Sequence, residues 1–263
     1  MLELKRQLEF FVVLCEDNNF FNCSIKSAEI DKPYCMANKK VLKVGLDSAA
    51  PFPMHSDYNS ENFEGFEVDL LRAITSQLNL EVEYEVSLWS TILEKLFKGE
   101  LDLICSAVTV TASRQHILEF SNPYLYFRLC AVVRTEDVLT SLSHFKNKTI
   151  GVREATEAEK YVRTEFPANN IVYAVTNKEL YRKLQAGKID LLIDDSPIAG
   201  GFLQKNKKLK IGMFLPKTDS SYAIAMKKGD VKLKAQFNEA LTSLKENGTY
   251  QLIYKKWFSE IQF

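Results

Sequence analysis

The residue in this sequence best equipped to grip a carboxylate is Arg114, in TVTASRQHILEFSNPY (109–124). A guanidinium offers two parallel N–H donors to the two oxygens of a carboxylate, which an ammonium cannot, and Thr109 just upstream adds a hydroxyl for the same group. The competing reading is a surface arginine at a helix start, where a cation opposes the helix dipole; that poor local placement favours a functional role. A counter-charge stands in IDDSPIA (193–199), where Asp194 and Asp195 end a buried apolar run. Either could instead cap a helix entered through Ser196-Pro197. Asp47 closes another apolar run, VLKVGLD, and Glu157 falls in the first turn of a helix that Thr156 and Glu159 are spaced to cap. Counting Asp47, Asp194, Asp195 and Glu157 against Arg114 and Arg153 gives four acids to two bases. Phe52 and Trp89 supply aromatic area, and an aromatic face beside an ammonium is worth about 0.5 to 2 kcal/mol. No Ser-His-Asp or Cys-His arrangement stands out.

These residues need a scaffold that brings them together, and the hydrophobic pattern supplies one. From Val41 onward strands alternate with helices: VLKVGLD as a strand, FEVDLLRAITSQLNL at helical spacing, EVEYEVSL as a strand, WSTILEKLFKG as a helix stopped by Gly99, and LDLICSA as a buried strand. This pattern predicts α/β structure with short parallel strands covered by helices. KLFKGELDLICS (95–106) repeats as KLQAGKIDLLID (183–194), and LKVGLDS (42–48) precedes the first copy as KTIGVRE (148–154) precedes the second. Two units on one plan follow from the repeat. In strand-ended α/β units ligands bind beyond the carboxyl ends of strands, which is where Asp47, Asp194 and Asp195 fall. LKIGMFL (209–215) is the last strand expected of the second unit, SSYAIAMKKGD one further strand, and the C-terminal stretch two helices broken around Asn247-Gly248 that return to the first unit. The expected division is a first lobe of residues 41–131 plus 222–263 and a second of 132–221, joined by a two-strand hinge with crossings near 130–134 and 217–222. The cleft between the lobes is then the site.

Composition limits the classes. The chain has 263 residues, 34 basic against 34 acidic, and 46% hydrophobic residues, which is globular and gives no electrostatic case for nucleic acid. Cys15, Cys23, Cys35, Cys105 and Cys130 form no Cys-x-x-Cys pair, and with three histidines there is little for a zinc site. Cys105 reads as a buried small hydrophobe. Residues 1 to about 40 read as a leader of uncertain role: the apolar core Phe10 to Cys15 is too short to span a membrane. It could be the remnant of a secretory signal or a lipoprotein-like segment with Cys15, and it does not by itself establish export.

GFEVDLLRAI, TVTASRQHILEFSNPY, LIDDSPIA and ENGTYQLIYKKWF, in that order, resemble the extracellular solute-binding proteins of polar amino-acid ABC transporters, family 3. The resemblance runs from about Val41 to Phe258 and implies the periplasmic-binding-protein-like fold, two α/β lobes that close on a ligand. It also implies that Arg114, Thr109 and the backbone N–H of Ala107 hold the α-carboxylate and that Asp195 pairs with the α-ammonium. Asp47 would touch the ammonium or side chain, and Trp89 would stack on the ligand. Phe52 departs from the family order, and a core role for it stays open, as does the role of Asp194. The largest departure is Ala155-Thr156-Glu157, where the family usually has Gly-Thr-Thr or Gly-Thr-Gly and a helix N-terminus that meets the carboxylate. Glu157 either satisfies the helix dipole and faces solvent, the preferred reading, or faces the cleft and favours a cationic ligand. The expectation is therefore a monomeric, cofactor-free binding protein for a polar amino acid, leaning towards a basic one, that works with a membrane permease outside the cytoplasm. The alternative is an enzyme on the same scaffold, resembling the cyclohexadienyl dehydratases, with Glu157 or Asp194 as general acid.

Overall fold

The computed structural model describes residues 40–48 and 63–259. The first sheet begins with β1 (Val41–Asp47), whose buried side chains alternate and then run continuously. It is followed by α1 (Phe66–Gln77), β2 (Glu81–Ser87), α2 (Trp89–Lys98) and β3 (Leu103–Ile104). Phe66, Leu70, Leu71 and Ile74 line the buried side of α1, the spacing that turns one helical face to a core. Helix α2 ends where Gly99 takes a left-handed φ of 75°. A short helix α3 (Ala112–Ile117) and strands β4 (Leu118–Phe120) and β5 (Leu125–Phe127) follow.

The second sheet comprises β6 (Leu129–Arg134), β7 (Thr149–Arg153), β8 (Asn170–Ala174), β9 (Leu191–Asp195) and β10 (Leu209–Phe214). Its helices are α4 (Glu157–Glu165), α5 (Asn177–Gln185) and α6 (Ser196–Lys205). The chain then runs through β11 (Ser220–Tyr222), β12 (Ala225–Lys227), α7 (Val231–Glu246) and α8 (Thr249–Phe258). Strand order is β2-β1-β3-β12-β4 in the first sheet and β10-β6-β9-β7-β8 in the second, with β5 and β11 paired between them.

The repeat read from the sequence is present as structure. β1 lies between β2 and β3, parallel to both, as β7 lies between β8 and β9. Gly45 and Gly151 hold the same place in the two copies: a Cβ on Gly45 would lie 2.8 Å from Leu101 Cδ1, and one on Gly151 2.5 Å from Ile189 Cδ1. Asp102 Oδ2 accepts from the Lys43 N–H at 2.8 Å, and Asp190 Oδ2 from the Thr149 N–H at the same distance. The aspartate of each apolar-Asp-Leu segment therefore ties its strand to the central strand of its unit.

Three expectations need correction. The sheets are mixed rather than parallel: β12 runs antiparallel to β3 and β4, and β6 antiparallel to β9 and β10. SSYAIAMKKGD is two short strands in different sheets, β11 and β12. Residues 129–131, drawn in the first lobe, pair within the second sheet from Leu129 on, because LCAVVR is buried through its first five residues as a strand with neighbours on both sides must be. The first passage between sheets thus precedes 130–134. At the C-terminus α7 and α8 pack on α1, with Phe258 and Phe66 in edge contact at 4.9 Å between ring centroids. Cys105 and Cys130 are both buried free thiols.

Candidate functional site

The carboxyl ends of β1, β3, β7 and β9 converge on one cavity, lined from the first lobe by Asp47, Trp89, Ala107, Thr109 and Arg114 and from the second by Arg153, Thr156, Glu157, Asp194 and Asp195. Phe52 lies outside the described residues. The remaining residues of the wall are Ala155, which opens the departure at 155–157, and Ser106, Ala158, Asn177, Ile193 and Ile198, which carried no signal in the sequence beyond their neighbours.

Arg114 stands in the first turn of α3, whose N-cap Thr111 accepts the Arg114 N–H at 3.2 Å. Its guanidinium donates to the Thr109 carbonyl at 3.0 Å and lies 5.3 Å from the centre of the Trp89 ring. Burial pulls its pKa down, while nearby Glu157 and Asp195 push it back up. Thr109 is itself fixed by a bridge to Tyr222. The Ala107 N–H, expected to point at a carboxylate, instead donates to Glu67 Oε1 at 2.6 Å. Ala107 adopts φ 50°, and the acid that receives its N–H is a fully buried residue of α1 also bonded by the Tyr124 hydroxyl.

Asp194 and Asp195 part company as consecutive strand residues do, their side chains leaving opposite faces of β9. Asp194 accepts from Asn177 Nδ2 at 3.0 and 2.9 Å, from the Tyr181 hydroxyl at 3.1 Å and from the Asp195 N–H at 2.9 Å. Its hydrogen-bonding capacity is thus largely taken by α5. Asp195 occupies the N-cap position of α6 without a side-chain capping bond; its Oδ2 accepts from the Tyr222 hydroxyl at 2.5 Å. Burial raises both carboxyls, Asp194 to about 7 and Asp195 to about 6, with the Tyr222 bond and the charges of Arg114 and Arg153 holding Asp195 lower than burial alone would. Tyr222, 27 residues away in sequence, belongs to the short strand between the lobes and was invisible to the sequence pattern.

Asp47 and Arg153 form an ion pair across the cleft, Arg153 Nη2 to Asp47 Oδ2 at 2.5 Å, while Arg153 Nε donates to the Val175 carbonyl at 3.0 Å. The Asp47 N–H is held by Ser106 Oγ at 2.9 Å. A second bond crosses nearby, from Trp89 Nε1 to the Ala155 carbonyl at 3.3 Å. Ala155 takes φ 58° where the resembled family usually has glycine. Thr156 Oγ1 accepts the Glu159 N–H at 3.3 Å, but Glu159 Oε2 returns to the Ala155 N–H at 2.6 Å, one residue before the partner a capping box prescribes. Glu157 lines the cavity with its side chain 27% exposed, 3.8 Å from Lys160 Nζ, so it faces the cleft rather than open solvent as preferred from sequence.

Two α/β lobes, each ending its strands in charged side chains on a shared cavity, make the architecture of a ligand-trapping protein. Residues 42–260 match the bacterial extracellular solute-binding proteins, family 3, and the chain belongs to that family. Among curated relatives it is similar to the ABC transporter arginine-binding protein 1 of Escherichia coli K12, 26% identical over 83% of this chain and 91% of that protein. Among solved structures it is similar to the arginine-, lysine-, histidine-binding protein ArtJ of Geobacillus stearothermophilus, 30% identical over 85% of this chain and 97% of the other, TM-score 0.77. An ancestral amino acid-binding protein described as a precursor of cyclohexadienyl dehydratase is similar at 28% identity over 83% of this chain and 95% of its own, TM-score 0.75.

Proposed function

We propose that this protein is the binding component of an ABC transporter for a polar amino acid, held in the cavity between the lobes. The observation that carries the reading is that Arg114 and Asp195, opposite charges on opposite lobes, line one cavity and suit the two ends of a zwitterion. Arg114 takes the α-carboxylate together with the Thr109 hydroxyl, and Asp195 takes the α-ammonium. Only the closed cleft makes both contacts, so ligand shifts the open–closed balance by its differential affinity. The lean towards basic ligands rests on Glu157, since Asp47 is paired with Arg153 and Asp194 is held by Asn177 and Tyr181. Trp89 supplies an apolar wall already engaged with Arg114. We place the protein outside the cytoplasm as a monomer that presents its closed form to a membrane permease.

Calorimetric titration with the twenty amino acids tests the reading: tight binding to one or a few is expected. The ancestral dehydratase precursor keeps an enzyme in view as the rival, and incubation with prephenate or arogenate separates the two, since release of an aromatic product would overturn pure binding. Asp194, tied by four hydrogen bonds, is poorly placed as a general acid; Glu157 is the residue such an enzyme would have to use.

A further inference from the structure

A second cavity, about 660 Å³ in volume, lies against the paired strands β5 and β11 that join the lobes, and it shares no residue with the first. Val110, Ser196 and Ser221 line it, and each is next in sequence to a residue that serves the cleft, respectively Thr109, Asp195 and Tyr222. Neighbours in extended chain send their side chains to opposite sides, so this cavity lies behind the hinge, away from the cleft. Its volume suits a small molecule, and its wall carries the rings of Phe214, Tyr254 and Tyr126, the last 71% exposed. Two exposed charged residues, Arg128 and Asp219, stand among these rings. The Arg128 guanidinium lies 4.5 Å from the centre of the Phe214 ring. Its backbone is pinned to the start of α6: the Arg128 N–H donates to Ser196 Oγ at 3.4 Å, and the Arg128 carbonyl accepts the Ser196 N–H at 3.0 Å. Among the described residues neither the Arg128 nor the Asp219 side chain enters an ion pair or a hydrogen bond.

We propose that this cavity behind the hinge is a second binding site, for an aromatic amino acid, and that filling it biases closure of the cleft. A guanidinium stacked on a ring keeps its edge N–H donors for a carboxylate, so Arg128 takes that end of the ligand. Asp219 takes the ammonium, and the ligand ring packs among Phe214, Tyr126 and Tyr254. One cation and one anion in the same wall, each without a counter-charge, suit a zwitterion better than a singly charged aromatic. The wall is built from both lobes, Val110 and Tyr254 from the first and Ser196 and Phe214 from the second. Movement of the lobes about β5 and β11 therefore reshapes the cavity, and a molecule held there shifts the balance between open and closed forms. The site is independent of what the cleft binds; only its bearing on transport rests on the reading above.

The experiment is calorimetric titration of L-phenylalanine, phenylacetate and phenethylamine into the full chain, into Arg128→Gln and into Arg114→Ala. Phenylalanine is expected to bind the parent with a Kd of about 1 mM or below, about tenfold or more weaker in Arg128→Gln, and within about threefold of the parent in Arg114→Ala. Arg128 is exposed, so its replacement leaves the fold intact. Where phenylalanine also enters the cleft, two binding steps appear and each variant loses one of them. No binding to the parent, or binding kept in Arg128→Gln and lost in Arg114→Ala, overturns the site. An analogue with a single charge that binds as tightly as phenylalanine overturns the assignment to a zwitterion. Trp89, whose Nε1 bonds the Ala155 carbonyl across the cleft at 3.3 Å, reads the effect on closure. In Arg114→Ala phenylalanine is expected to change Trp89 fluorescence, and in Arg114→Ala/Arg128→Gln to leave it constant; an unchanged emission in the single variant overturns the link to closure. None of these measurements needs a cleft ligand, so failure of the cleft to bind any amino acid overturns the functional reading alone.

Discussion

Arg114 is where the sequence was most informative, because a guanidinium placed against the helix dipole needs a reason outside its own helix. Arg114→Ala is expected to weaken amino-acid binding by roughly 2 to 5 kcal/mol, the cost of removing one partner of a desolvated charge pair, and Arg114→Lys to recover little of it, since a point charge cannot make two parallel bonds. Titration calorimetry checks both. Asp195 predicts a pH dependence. Its carboxyl is raised to about 6 in the folded chain against an ordinary value near 4, so the folded state holds this proton more tightly than the unfolded state does. Stability contributed by this site is present at about pH 4 and is lost as pH rises to about 6, roughly 2 to 3 kcal/mol in all. The melting temperature of the ligand-free parent, compared with Asp195→Asn between pH 4.5 and 7.5, should fall more steeply in the parent. The ligand-induced rise in melting temperature should grow over the same range as the carboxylate becomes available to an ammonium. Other side chains were less legible. Asp194 and Asp195 are neighbours that both line the cavity, and only the folded contacts show that Asn177 and Tyr181 hold Asp194 while Tyr222 holds Asp195. The Ala107 amide has its direction set by Glu67, 40 residues earlier, through a contact that no periodicity reports.

At the scale of elements, the repeat was the strongest signal because it is written in local sequence: a helix-stopping glycine, an apolar residue and an aspartate that reaches the neighbouring strand. Each part has a structural duty, and Gly151 can be tested directly. Gly151→Ala would set a Cβ 2.5 Å from Ile189 Cδ1, and the displacement is expected to cost about 1 to 3 kcal/mol of unfolding free energy, read from denaturant titration. Helix α8 tests the C-terminal return. Phe258 is buried against Phe66, and Phe258→Ala should cost about 3 to 5 kcal/mol. What could not be read were the antiparallel partners. β12 is three residues long and finds its neighbours in β3 and β4, more than 100 residues earlier, so nothing in its own composition distinguishes it from a continuation of β11. The parallel cores around β1 and β7, by contrast, are set by runs of adjacent strand and helix, which is why they were visible and the closing strands were not.

Across the whole molecule, the cleft is spanned by Asp47 to Arg153 and by Trp89 to Ala155, so closure has an electrostatic and an aromatic reporter. Trp89 fluorescence should change on ligand addition, and Trp89→Phe should abolish most of that change while Trp257, a residue of α8 whose indole N–H donates to Asp69 of α1, contributes a constant background. The order of strands carries a further consequence, for how the chain is made. The second sheet is drawn from one continuous stretch, Leu129 to Phe214, and contains every partner it needs. The first sheet has its fourth strand, β12, supplied only at Ala225–Lys227. During synthesis the first half of the chain emerges early yet keeps an open seam between β3 and β4, while the later half can complete itself. The part of the protein that carries Arg114 is therefore the last to be finished, and it waits on a three-residue strand made near the end.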